Sequence, residues 1–80
     1  MKSSDSKTRI LALERIFQNN KQLTLADISD KLWSQYGITA ERKTLYDDIA
    51  ALTRFLPIRT EKKGHTYFYI NEMEQDNETN

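Results

Sequence analysis

Cysteine is absent from all 80 residues, which excludes disulfides and thiolate metal sites. His65 is the single histidine, so no second imidazole can join it in a metal site of ordinary composition. There is no glycine-rich phosphate loop and no H-E-x-x-H pair. Asp47 and Asp48 are neighbours, about 100° apart on a helix, and do not converge on one substrate as acid–base carboxylates must. Eighty residues hold one small core and too little chain for a cleft between lobes. No enzyme activity, cofactor or metal is therefore expected. No apolar run approaches the roughly 20 residues that span a bilayer, and the polar start Met1–Asp5 lacks a signal-peptide core. A cytoplasmic protein with no membrane association is expected.

An excess of charge of either sign is also missing: 12 basic residues balance 12 acidic ones. That argues against a nucleic-acid partner, because release of counterions from phosphates rewards surplus cations. The charges are unevenly placed, however. Glu72, Glu74, Asp76 and Glu78 fall in the last ten residues, which have no cation, so residues 1 to 70 hold 12 basic against 8 acidic residues. Residues 71–80 read as an acidic, disordered tail and residues 6–70 as one domain.

What is present begins with helical periodicity. Ile10, Leu13, Ile16 and Phe17 predict a first helix from Ser6 to Gln18, ended by Asn19 and Asn20. Thr24 with Asp27 three residues on predicts the capped start of a second, with Leu25, Ile28, Leu32 and Tyr36 along one face and Gly37 at its C′ position. Trp33 reads as an apolar anchor at the edge of the core, with partner binding as the alternative. After the turn Gly37-Ile38-Thr39-Ala40, a third helix over 41–52 buries Leu45, Ile49 and Leu52. Arg42, Lys43, Thr44 and Tyr46 gather at its start, where a helix in the major groove reaches phosphates and base edges. Residues 57–70 read as strand, basic turn with Lys62, Lys63 and Gly64, and strand, the last rich in aromatics. The expected fold is mainly α with a small β-hairpin: a winged helix-turn-helix of three helices and a two-stranded wing.

These blocks, Leu23-Thr24-Leu25-Ala26-Asp27-Ile28, Tyr36-Gly37-Ile38, Arg42-Lys43-Thr44-Leu45-Tyr46-Asp47-Asp48-Ile49 with Leu52, and Lys63-Gly64-His65-Thr66-Tyr67-Phe68, resemble the N-terminal domain of bacterial WYL-domain transcriptional regulators and the wider DeoR-like group. The resemblance covers residues 8 to 70 and implies that Arg42, Lys43, Thr44 and Tyr46 face DNA, with Lys62, Lys63 and His65 in or near the wing. Glu41 departs from the usual Ser or Asp cap, and Asp47 stands where Arg is common. The ligand-sensing region that follows this domain in the family does not occur in these 80 residues, and a different regulatory input is expected.

The function expected is a sequence-specific DNA-binding transcriptional regulator, acting as a repressor on double-stranded DNA. Arg42 or Lys43 would donate to guanine, Thr44 and Tyr46 to phosphates, and Lys62 and Lys63 to the flanking backbone or minor groove. The blander readings are rim packing for Tyr46, a solvated turn for the two lysines and an ion pair with a nearby cation for Asp48. A single module covers only about 600–1,000 Å² on DNA, so a homodimer is expected, built on the first helix or on the strand Tyr67-Phe68-Tyr69. The competing reading is a module that docks on another protein, such as a phage- or plasmid-encoded inhibitor; neutral net charge and Asp47 favour it.

Overall fold

A computed structural model describes residues 6–73. Three helices, α1 (Ser6–Asn19), α2 (Leu25–Tyr36) and α3 (Arg42–Leu52), pack with three strands, β1 (Gln22–Thr24), β2 (Ile58–Lys63) and β3 (Thr66–Asn71). The strands form an antiparallel sheet in the order β1-β3-β2. The molecule is thus mixed α/β, and the sheet has three strands where the sequence predicts two. The extra strand is short, and its pairing of Leu23 with Tyr69 joins residues far apart in sequence. Among the described residues, no helix is long and apolar enough to cross a membrane.

α1 buries Ala12, Leu13, Ile16 and Phe17, and the Asn20 side chain donates to the Ile16 carbonyl at 2.9 Å as the chain leaves the helix. Thr24 ends β1 and caps α2: its Oγ1 accepts from the Asp27 N–H, and Asp27 Oδ2 accepts from the Thr24 N–H, both at 3.1 Å. Two donors that would otherwise lack partners are satisfied at once. At the other end Gly37 takes the left-handed conformation (φ 68°), which lets its N–H reach the Trp33 carbonyl and the Ile38 N–H reach that of Leu32. The reversal drops Ile38 into the core. Trp33 itself is 61% exposed, so the core-edge role expected for it is not realised.

Leu45, Ile49 and Leu52 seat α3 on a core completed by Leu13, Ile28, Leu32 and the sheet residues Leu23, Ile58 and Tyr69. Phe17 and Tyr69 meet edge-to-face, ring centroids 6.3 Å apart. A polar tie reinforces the apolar one, since Asp48 on α3 is buried and pairs with Arg9 on α1 through Nε and, at 3.4 Å, Nη2. The β2–β3 hairpin closes over Gly64-His65, with Lys63 opposite Thr66. Gly64 at φ 65° followed by a residue of negative φ is the sign pattern of a II′ turn, whose twist matches the strands.

The boundary expected at residue 70 falls too early. Asn71 is 1% exposed; its Nδ2 donates to the Phe17 carbonyl at 3.0 Å, its Oδ1 accepts from the Met73 N–H at 3.0 Å, and its own N–H donates to the Lys21 carbonyl. The Glu72 N–H reaches the Pro57 carbonyl at 2.8 Å, and Met73 packs on the core. This end of β3 is stitched to the end of α1 by hydrogen bonds that composition cannot reveal. The remainder of the acidic segment, residues 74–80, lies outside the described residues.

Candidate nucleic-acid interface

Helical geometry divides the α3 residues that the sequence groups together. Arg42 and Tyr46, one turn apart, point to the hairpin side, whereas Thr44 is about 200° from Arg42 around the axis. Arg42 and Tyr46 line an open groove of about 540 Å³ with Thr24 and Ala26 at the start of α2 and with His65, Thr66 and Tyr67 of the hairpin. Thr44 instead lines a separate cleft with Arg9, Thr39 and Glu41. Lys43 stands between the two on the outer surface, its side chain 86% exposed, with Asp47 one turn on at 3.9 Å. Exposed pairs of this kind are worth about 0.3–0.5 kcal/mol and leave Lys43 able to exchange partners.

Strand geometry divides the hairpin residues in the same way. Successive side chains of a strand point to opposite faces, so Lys62 and Lys63 cannot act together. Lys62 lies over the ring of Tyr67, Nζ 5.6 Å from the centroid, on the face that borders the groove. Lys63 lies over Phe68 at 5.4 Å, on the opposite face. His65 in the loop turns into the groove. Of the seven residues expected to form the site, Arg42, Tyr46 and His65 share one groove, Lys62 and Lys43 flank it, and Thr44 and Lys63 face elsewhere.

Arg59 is engaged on the outer face of β2 by Glu72 and by Glu61 at 3.3 Å. The hydrogen bond it donates to Glu72, more than any other contact, holds its guanidinium above the ordinary arginine range. Arg59 is therefore less available to an added anion than Arg42 or Lys62.

Among the groove residues that the sequence did not mark as part of the site are Thr24, Tyr67 and Tyr69. Tyr69 spans from the core to the groove, and burial, with a smaller contribution from Tyr46, raises its pKa above the ordinary tyrosine value. Its hydroxyl consequently stays a neutral donor and acceptor at physiological pH. Strand alternation from Tyr69 marks Tyr67 as its neighbour on the same face, a signal available in the sequence; the arrival of Thr24 depends on the folding of β1 against β3.

The start of α3 is locally suboptimal. Glu41 occupies the N-cap in extended conformation but makes no side-chain cap, and Arg42 and Lys43 follow at the positive end of the helix dipole. Cations there are unfavourable by a few tenths of a kcal/mol to about 1 kcal/mol. They become favourable when an anion lies opposite, and the exposed N–H groups of the first turn then add to the attraction. The groove thus brings together guanidinium, imidazole, phenol and hydroxyl groups, all able to donate hydrogen bonds to an anion. Compared with known protein families, curated proteins and solved structures, the chain matches none.

Proposed function

We propose that this protein binds double-stranded DNA as a winged helix-turn-helix transcriptional regulator, α3 entering the major groove and the β2–β3 hairpin lying on the flanking backbone. One observation carries the reading: Arg42 and Tyr46 of α3 and His65 of the hairpin line a single open groove, with Lys62 at its edge. Lys43 and Arg42 are the base-reading candidates, because they project from the first turn of the helix, where major-groove readers act. Tyr46, His65 and Lys62 are suited to phosphates, which fix register without reading sequence. The protein acts by occupying its site and excluding other proteins, a repressor's mode, and catalysis has no part in this reading.

Fluorescence anisotropy with a labelled duplex at several salt concentrations tests it. Log affinity is expected to fall linearly with log salt. Arg42→Ala should weaken binding by about 1–3 kcal/mol, whereas Lys63→Ala, on the far face, should do so by only a few tenths. Equal effects of the two substitutions, or no binding at low salt, would refute the assignment.

A protein-docking module is the second reading, favoured by Phe55, 82% exposed beyond α3, and by the exposed Trp33. Isolated apolar residues are common on monomer surfaces, and these two do not line the groove.

A further inference from the structure

The outer face of α1 carries an exposed apolar residue flanked by charges of opposite sign. Leu11 points away from the core and is 62% exposed. It forms a ridge between two open hollows, one lined by Tyr36 and Ile38 together with Glu14, Arg15 and Gln18, and the other by Lys7 and Ile10. A surface carrying both a knob and the hollows that would receive one suits an isologous contact, in which the same patch serves both partners. The charges agree with this. Lys7, Leu11, Glu14 and Gln18 fall within an arc of about 60° on the helix. Lys7 lies three residues before Ile10 and Glu14 three residues after Leu11, so a two-fold axis through the midpoint of Ile10 and Leu11 sets each Lys7 opposite Glu14 of the second copy.

We propose that this protein forms a symmetric dimer through antiparallel pairing of α1 with α1 of a second copy, Leu11 at the centre and a Lys7–Glu14 pair on each side. The aromatic strand does not serve instead: β3 is the central strand, hydrogen-bonded to β1 and β2, and Tyr69 belongs to the core. Lys62 and Lys63 place a charged group over the rings of Tyr67 and Phe68, which disfavours an apolar contact there. The hollows beside Leu11 share no residue with the groove at Arg42 and His65, so dimerisation leaves that groove open. The proposal goes beyond the DNA-binding reading and holds or fails without it.

Sedimentation equilibrium of the whole chain, without DNA, over a wide concentration range is the test. The wild type should show a monomer–dimer equilibrium. Leu11→Glu should raise the dissociation constant about 100-fold or more, since two apolar contacts are lost by symmetry. Lys7→Glu and Glu14→Lys should each raise it about tenfold, and the Lys7→Glu/Glu14→Lys double variant should return it to near the wild-type value. Circular dichroism checks that each variant folds, as is expected at exposed and half-buried helix positions. A wild-type protein monomeric throughout, a dimer indifferent to Leu11→Glu, or a double variant no better than either single one would overturn the proposal. If the dimer forms and Arg42→Ala leaves DNA affinity unchanged, the DNA-binding reading fails alone.

Discussion

α2 and α3 begin in contrasting ways. Thr24 and Asp27 satisfy the start of α2 through reciprocal hydrogen bonds, whereas Glu41 leaves the start of α3 without a side-chain cap and two cations follow it. α3 is held from its other side instead, by Leu45, Ile49 and Leu52 in the core and by the Asp48–Arg9 pair. The difference teaches that a helix start can be fixed by its own side chains, as in α2, or held by packing of the rest of the helix, as in α3.

Substitutions break or sharpen that contrast. Asp48→Ala should have the largest effect on stability, about 3 kcal/mol, because it strands the half of a largely buried ion pair that anchors α3; urea unfolding measures it. Arg42→Ala should act in the opposite compartment, weakening duplex affinity by about 1–3 kcal/mol while leaving the unfolding midpoint unchanged or slightly raised. Thr24→Ala removes one side of the capping box and should destabilise by about 1 kcal/mol in the same urea titration. Glu41→Asp keeps the charge but brings a side chain of capping length; a gain of about 0.5–1 kcal/mol is expected, the smallest of these changes. If Glu41→Asp gives no gain while Thr24→Ala still destabilises, the start of α3 is not suboptimal and the contrast loses its meaning.

Much of the scaffold could be read before folding. Ile10, Leu13, Ile16 and Phe17 place α1 to within a residue, and Thr24, Asp27 and Gly37 mark both ends of α2. These signals are local, carried within one or two turns of chain. β1 gave no such signal: a three-residue strand with one apolar member becomes a strand by pairing with residues far downstream. Asn71 looked like the first residue of a polar tail, and it is the hydrogen bonds with Phe17, Lys21 and Met73, made only in the folded chain, that let it be buried.

The candidate site was half legible. Arg42 and Tyr46 share a face at helical spacing, as their positions dictate. Thr44 and Lys63 were grouped with them through proximity in the chain and resemblance to a regulator motif, although the periods of helix and strand already point them elsewhere. The part played by the start of α2 was out of reach, because it depends on how three elements meet.

Titration of the isotopically labelled protein with a mixed-sequence duplex at low salt, followed by amide chemical shifts, tests the central claim most directly. The predicted result is a set of perturbations concentrated at Arg42–Tyr46 and Lys62–Tyr67, with α1 around Leu11 silent at constant protein concentration. Shifts confined to Leu11, Arg15 and Tyr36, or no shifts anywhere at saturating duplex, would contradict it.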